Sequence, residues 1–275
     1  MRTALISDIH SNLSALETVL ADIDQRGVDR ILSLGDIVGY GPDPKECVDL
    51  VATRCEWSLM GNHDFGVLYE PTNFNASAEA AAYWTRRQLE PPKSEEGQSQ
   101  SQPTNGTYDS DEAVRRWDFL GQLRVRVVFG PFLCVHGSPR RPINEYIFPE
   151  DPLNSSKKIR DIFARIKPSR VCLVGHTHVP GVFTDDPDFL PASEMTDGMY
   201  KFASQDPVIV NPGSVGQPRD LDPRASYAIL ETGENFEPLS VQFIRLEYDI
   251  ERTVERIKAI DDLNDWLGER LLQGR

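Results

Sequence analysis

Metal-ligating side chains recur in short motifs along the first two thirds of this 275-residue chain. Each of the five histidines lies in one of these motifs. Imidazole, carboxylate and amide oxygen are groups that bind divalent cations in proteins. The sequence therefore predicts a metal site assembled from several loops, whose motifs are Asp8-x-His10, Gly35-Asp36, Gly61-Asn62-His63-Asp64, His136-Gly137 and Gly175-His176-Thr177-His178.

Each motif taken alone also has a purely structural explanation. Asp8 could cap the helix that follows it, since aspartate is a favoured N-cap. Gly35-Asp36 could form an ordinary turn, and His136 could be a hydrogen-bonded core histidine. Because all five histidines follow apolar runs in such loops, five independent coincidences are a poorer explanation than one shared site.

Strands are expected to position these motifs, because an apolar run precedes each loop. These runs are 3–6, 30–34, 57–60, 132–135 and 171–174. A helix follows the first loop, with Leu13, Leu16, Leu20 and Ile23 on one face. Polar residues at strand ends of an alternating β/α chain indicate a ligand site at the carboxyl edge of the strands. Further strands are expected at 125–129, 208–210, 227–230 and 241–246.

We expect one domain spanning 1–275, with two irregular segments and a helical tail. Segment 91–112 has Tyr108 as its only large apolar residue, which predicts a mobile insertion. Segment 185–205 is rich in Asp, Pro and Ser and predicts an irregular loop. Segment 249–275 alternates charged and apolar residues, as is typical of amphipathic helices packed on the outside of a domain.

Composition limits the classes of partner. The net charge of −14 disfavours long nucleic acids, whose binding depends on Lys and Arg, but is compatible with small phosphorylated substrates. No apolar run reaches the ~18 to 20 residues of a membrane span, so we expect no membrane partner and a cytoplasmic location. The sequence leaves the oligomeric state open. Four cysteines without CxxC spacing predict buried free thiols: Cys47, Cys55, Cys134 and Cys172.

In the order D-x-H, G-D, G-N-H-D, H-G, G-H-T-H, the motifs resemble those of the calcineurin-like metallophosphoesterase superfamily. Flanking stretches around Gly39-Tyr40-Gly41-Pro42, His136 to Tyr146 and Asn211 to Gly216 are similar to a bacterial and archaeal subgroup of phosphoesterases. The resemblance implies an α/β (α+β) fold, a four-layer sandwich of two mixed β-sheets flanked by helices, with the metal site at the loop edge. It also implies one metal held by Asp8, His10, Asp36 and His178, and a second held by Asp36, Asn62, His136 and His176.

This ligand set implies hydrolysis of a phosphomonoester or phosphodiester. Two divalent cations about 3.5 to 4 Å apart lower the pKa of a bridging water, so that hydroxide attacks phosphorus in line with the leaving group. His63 would then protonate the leaving oxygen or bind a phosphoryl oxygen, and Asp64 would orient His63 and raise its pKa. Manganese is the metal that we expect, although imidazole and carboxylate ligands also accept iron, zinc, nickel and cobalt.

Four residues outside the core motifs are further candidates. Arg140 and Arg219 could bind the distal part of a phosphorylated substrate, or could be surface arginines in ion pairs. Asn211 and Ser214 could support the ligand loops, or could belong to a plain turn.

Two other classes of function compete with hydrolysis. A metal-binding scaffold of the same fold could hold a protein partner without turnover, but would be expected to have lost a ligand or the proton donor. A zinc peptidase or structural zinc protein is disfavoured, because HExxH and paired cysteines are absent from the sequence.

Overall fold

In the residues that the computed structural model describes, 1–91, 106–203 and 206–275, twelve strands form two mixed sheets. The strands are β1 (Arg2–Ile6), β2 (Arg30–Ser33), β3 (Trp57–Ser58), β4 (Arg126–Phe129), β5 (Phe132–Val135), β6 (Val171–Leu173), β7 (Gly181–Thr184), β8 (Asp188–Pro191), β9 (Met199–Lys201), β10 (Val208–Asn211), β11 (Ala225–Thr232) and β12 (Pro238–Leu246). The first sheet has the order β3-β2-β1-β11-β12-β9 and the second the order β4-β5-β6-β10-β7-β8. Helices flank the two sheets, as the family resemblance implied.

Strand residues alternate between two cores, because successive side chains of a strand point to opposite faces. Leu5 of β1 and Phe132 of β5 belong to one apolar cluster between the two sheets. Their neighbours Ala4 and Ile6 pack on the helices outside the first sheet, whereas Leu133 packs on those outside the second. Both sheets are therefore covered on both faces, which fixes their register and the direction in which each strand end points.

The helices are α1 (Leu13–Arg26), α2 (Pro44–Arg54), α3 (Asn62–Leu68), α4 (Ala76–Leu89), α5 (Gly106–Gly121), α6 (Asp151–Asn154), α7 (Ser156–Phe163), α8 (Ile250–Lys258) and α9 (Trp266–Glu269). Helix α1 begins directly after the first metal-ligating motif. The side chain of Asn12 accepts from the N–H of Ala15, and Gly27 ends the helix at φ 61°. The described part of the chain has no helix long and apolar enough to cross a membrane.

Two expectations about irregular segments need correction. Residues 106–112 of the predicted insertion belong to α5, whose later residues Ala113, Trp117 and Leu120 pack onto the core. Residues 92–105 lie outside the described part of the chain. Segment 185–205 is not wholly irregular, because β8 and β9 extend the edges of the two sheets within it.

The tail is helical, as its amphipathic pattern predicted. Ile257 of α8 and Leu267 of α9 are buried in a cluster with Tyr40, which lies close to the ligand motifs. A short 3-10 helix, Arg270–Gln273, follows α9. All four cysteines are free thiols, and three of them are buried: Cys47, Cys134 and Cys172.

Candidate metal centre

The ligand motifs meet because parallel strands of both sheets end at one edge of the sandwich. Strands β1, β2 and β3 run parallel in the first sheet, and β5, β6 and β10 run parallel in the second. Hydrogen bonds then join the loops. The N–H of Asp8 donates to Gly35 at 3.0 Å, and the N–H of His176 donates to both carboxylate oxygens of Asp8 at 3.1 Å. Side chains from distant parts of the sequence therefore share one buried site.

One cluster of ligand atoms comprises Asp8, His10, Asp36 and His178, all buried and mutually within 4.8 Å. The Nδ1 atoms of His10 and His178 face the carbonyl oxygens of Val38 at 3.2 Å and Gln217 at 2.5 Å. Each Nδ1 therefore carries the proton, and each Nε2 presents a lone pair. The two Nε2 atoms lie only 3.2 Å apart. Two lone pairs facing each other repel, so this geometry suits a cation between them.

A second cluster comprises Asp36, His136 and His176 within the same distance limit. Nδ1 of His136 faces the carbonyl of Leu34 at 2.8 Å, which directs its Nε2 towards Asp36 at 3.3 Å. Asn62 Oδ1, His136 Nε2 and His176 Nε2 are buried without a hydrogen-bond partner among the described residues. Such unpaired buried polar atoms are costly unless a ligand satisfies them. These residues fit a second cation, and Asp36 belongs to both clusters.

Backbone conformation at the ligands is unusual. Asp8, His10, Asp36, His176 and His178 all have φ between 51° and 67°, in the left-handed region that residues with a Cβ seldom adopt. Each such residue costs on the order of 1 kcal/mol and persists only where the surrounding structure holds it. The concentration of this strain at one edge of the sandwich is typical of a functional site.

The electrostatic field of the site favours a cation. Burial opposes ionisation of Asp36, but the imidazoles of His136, His63 and His10 together hold the pKa of Asp36 well below its usual range. Burial also opposes protonation of His136, whose pKa the carboxylates of Asp36 and Asp8 nevertheless raise to about 9. Burial lowers the pKa of His10 and His176, which keeps both imidazoles neutral and able to coordinate a metal.

The contacts of Asp64 differ from the expectation that this residue orients His63. One carboxylate oxygen accepts from the N–H groups of Ile37 and Val38, and the other accepts from Asp36 and Gly61. These four bonds, at 2.9 to 3.2 Å, fill the acceptor capacity of the carboxylate. Asp64 therefore clamps the loop that carries Asp36. Burial and the charge of Asp36 raise the pKa of Asp64 to about 7, although the N–H donors oppose this shift.

His63 lies against the first cluster and inside an aromatic wall. Its ring centroid is 4.8 Å from that of His10, 4.3 Å from Tyr40 and 4.6 Å from Phe74. Burial lowers the pKa of His63 to about 4, so the expected rise in this pKa is wrong for the protein alone. An added Cβ on Gly39 would lie 2.4 Å from Nδ1 of His63, which explains the glycine in the Gly39-Tyr40 turn.

The candidate substrate arginines separate into two kinds. Arg140 donates to the carboxylate of Glu145, and its guanidinium lies 3.7 Å from Asp161. These acids neutralise it, which agrees with the alternative of an arginine in ion pairs. Arg219, in contrast, lies beside the metal ligands, since its N–H donates to the carbonyl of His178 at 3.4 Å.

The Asn211–Gly216 turn supports the ligand loops. Asn211 Nδ2 donates to the carbonyl of Gly175 at 2.7 Å, and Ser214 Oγ donates to the carbonyl of Asp8 at 2.7 Å. An added Cβ on Gly216 would lie 1.7 Å from the carbonyl oxygen of Ile9, so only glycine permits this approach. These contacts hold two ligand-bearing loops against each other.

A cavity of about 540 Å³ opens beside the ligand clusters. It is within the size range of small-molecule sites. Its wall includes Asn62, His63 and His176 together with residues to which the sequence assigned no role: Tyr40, Phe65, Phe74, Asn144 and Tyr146. Tyr146 stacks on His176 with ring centroids 3.7 Å apart. In the sequence, the position of Tyr146 ten residues after His136 was the one signal that could have indicated this contact.

Comparisons with known proteins agree with this geometry. A family model described as the calcineurin-like phosphoesterase superfamily domain matches residues 1–235. The uncharacterized protein MJ0912 of Methanocaldococcus jannaschii is 36% identical over 275 residues, covering 99% of this chain and 98% of that protein.

Solved structures extend the comparison to the fold. A metallophosphoesterase from Sphaerobacter thermophilus is 36% identical, with a TM-score of 0.77 over 100% of this chain and 99% of that one. A hypothetical protein from Pyrococcus horikoshii is 20% identical, has a TM-score of 0.70 and shares the fold over 100% and 98% of the two chains. The chain therefore belongs to the calcineurin-like phosphoesterase superfamily.

Proposed function

We propose that this protein hydrolyses phosphoric esters of small molecules with two divalent metal ions, manganese being the pair that we expect. The observation that carries the proposal is the shared carboxylate of Asp36, which belongs to both clusters of buried ligand atoms. A carboxylate shared in this way suits two neighbouring cations. When bound, such a pair supplies an activated water and neutralises charge on the phosphoryl group.

The protein's own residues would hold the two ions. Asp8, His10, Asp36 and His178 surround one position, and Asp36, Asn62, His136 and His176 surround the other. Backbone carbonyls fix the rings of His10, His136 and His178 through Nδ1. Such outer contacts keep the ligands oriented before substrate binds, so little reorganisation is needed during the reaction.

The position of His63 supports a role at the leaving group. It lies beside His10 and also lines the cavity, so it adjoins both the phosphoryl position and the space for the ester group. We assign it donation of a proton or hydrogen bond to the oxygen that leaves phosphorus. Tyr40 and Phe74 hold its ring by packing on it.

The cavity would accept an organic group of modest size. Aromatic and amide side chains line it, with Glu70 and Arg141 as charged residues of opposite sign. Their charges offset each other, so the cavity itself suits the uncharged, partly apolar part of an ester group. The buried position of the ligands suits a small molecule better than a long nucleic acid.

The experiment is a hydrolysis assay on metal-free protein reconstituted with Mn²⁺. We expect p-nitrophenol release from p-nitrophenyl phosphate, from its bis-ester or from both, and two ions per chain by elemental analysis. Asp36→Asn should abolish turnover and lower the metal content, whereas Asp29→Asn, which alters an exposed carboxylate, should resemble the wild type. Two bound ions without hydrolysis of either ester would instead favour a metal-binding scaffold.

A further inference from the structure

We propose that Arg219 and Arg270 form a second anion-binding position beside the metal centre, which selects substrates carrying another anionic group near the scissile phosphate. The inference rests on the proposed function and names its substrate class. Arg270 lies beyond residues 1–235, the region that the family model matches. The helical tail would therefore contribute a selectivity feature of its own.

The backbone of Arg219 is hydrogen-bonded beside the metal centre, whereas part of its guanidinium group has no hydrogen-bond acceptor among the described residues. Its N–H donates to the carbonyl of His178, while Gln217 accepts both from Nδ1 of His178 and from Nη2 of Arg219. The acceptor for Nη2 is a neutral amide oxygen at 2.9 Å, and Nε is buried without a partner among the described residues. An arginine in this state is ready to bind an anion.

The tail brings Arg270 to the same place. Leu267 and Leu271 enclose a small space together with His10 and Tyr40, so the turn of the tail that carries Arg270 packs beside the candidate ligands. The N–H of Leu221 donates to the carbonyl of Gly274 at 2.9 Å, which ties the tail to the loop after Arg219.

The guanidinium of Arg270 is fixed by packing. It lies 4.4 Å from the ring centroid of Trp266, and its Nε donates to the main-chain oxygen of Arg275. Arg270 therefore extends from a defined position. A preorganised guanidinium loses less side-chain entropy when it binds an anion than a free surface arginine does.

The two guanidinium groups are near enough for their charges to interact. Burial and the charge of Arg219 lower the pKa of Arg270 to about 10. Burial raises the pKa of Tyr40, so its hydroxyl keeps its proton, although the charges of both arginines oppose this rise. Repulsion between the arginines is relieved when an anion binds between them. Phosphate, phosphonate or carboxylate would satisfy both guanidinium groups and a phenol donor at once.

The test compares two non-hydrolysable probes by calorimetric titration of the Mn²⁺-loaded protein. Propylphosphonate carries one anionic group and can engage only the metals, whereas propane-1,3-diphosphonate carries a second group. We expect the diphosphonate to bind roughly 10- to 100-fold more tightly, as charge-assisted contacts to two arginines allow. Raising the salt from about 0.05 M to 0.5 M should reduce this preference, because partly exposed charges are screened.

Variants separate this position from the metals. Arg219→Gln and Arg270→Gln should each lower the preference for the diphosphonate, and the double variant should bring the ratio of affinities close to one. Arg115→Gln, in an exposed arginine on α5, should keep the wild-type ratio. If Arg219→Gln fails to fold, Arg270→Gln alone decides, with a thermal melt as its control.

The outcomes distinguish this inference from the proposed function. Propylphosphonate could bind while the ratio of diphosphonate to propylphosphonate affinity is the same in the wild type and in Arg270→Gln. That result would overturn the second anion position and leave the proposed hydrolysis intact. Failure of propylphosphonate to bind the metal-loaded protein would overturn the proposed function, and the inference with it.

Discussion

Replacing Asp64 by asparagine keeps the shape of the side chain but changes two of its acceptor sites into donors. The carboxylate accepts four backbone N–H bonds, from Asp36, Ile37, Val38 and Gly61. An amide oxygen can accept two of them, so two buried N–H groups would face the NH₂ group. Losing two hydrogen bonds to a charged group would cost about 3 to 6 kcal/mol. The raised pKa of Asp64 shows that burial of its charge offsets part of this gain, so we predict a net loss of about 1 to 3 kcal/mol in the free energy of unfolding.

The assay is urea unfolding of the metal-free protein, monitored by fluorescence of its four tryptophans. Measurement at about pH 8 lies above the pKa of about 7 of Asp64, so the ionised carboxylate is compared with the amide. Asp29→Asn is the matched control, because its exposed carboxylate accepts a single backbone bond, from Arg2 at 2.6 Å. We expect that control to lose less than about 1 kcal/mol.

Metal-free protein separates the clamp from a catalytic role. If Asp64 acted by orienting His63, Asp64→Asn would unfold like the wild type and would lower the rate as much as His63→Gln does. A loss of unfolding free energy no larger than that of Asp29→Asn would therefore refute the clamp.

Three further predictions concern other parts of the account. His63→Gln should keep two metal ions per chain but lower kcat by roughly 10²- to 10⁴-fold, the range for a lost general acid; wild-type turnover would remove His63 from the mechanism. Gly61→Ala would place a Cβ 2.0 Å from Oδ1 of Asp36 and so displace this carboxylate. Elemental analysis should then find fewer than two metal ions per chain. An unchanged metal content would show that the loop can adjust. Burial raises the pKa of Cys55 to about 12 and also raises the pKa of the other three thiols. At about pH 8 the folded protein should therefore react slowly with a thiol reagent, whereas the unfolded protein should expose four thiols. Rapid labelling of the folded protein would contradict this burial.

The sequence was most informative where chemistry and local pattern coincide. His136 and His176 directly follow apolar runs, and parallel strands necessarily bring their carboxyl ends to one edge. The position of Asp36 at the end of β2 follows from the same pattern. The ligand motifs could therefore be grouped before any contact was known, whereas the two-sheet fold was expected from the resemblance to the calcineurin-like superfamily.

Contacts between distant loops could not be predicted in this way. The partners of Asp64 are mainly backbone N–H groups 26 to 28 residues earlier, and backbone groups carry no sequence signal. Arg140 resembled a phosphate ligand until the fold placed Glu145 and Asp161 beside it. Arg270 follows the last ligand motif by more than 90 residues, and only the packing of the tail on Tyr40 relates it to the site.

Segments of low hydrophobicity were also difficult to interpret. Residues 106–112 have few apolar side chains, yet they begin a helix whose later turns bury Leu120. The apolar residues that stabilise α5 lie in its second half, after residue 112, where composition had placed the end of the insertion. In 185–205 the strands are three or four residues long, too short for a period of two to be recognised.

The most direct test of the two-metal site is anomalous X-ray scattering from crystals of the Mn²⁺-loaded protein. We predict two peaks per chain, one among Asp8, His10, Asp36 and His178, and the other among Asp36, Asn62, His136 and His176. Both peaks should contact the Asp36 carboxylate. A single peak, or a second peak away from Asp36, would contradict the shared site on which the proposed hydrolysis depends.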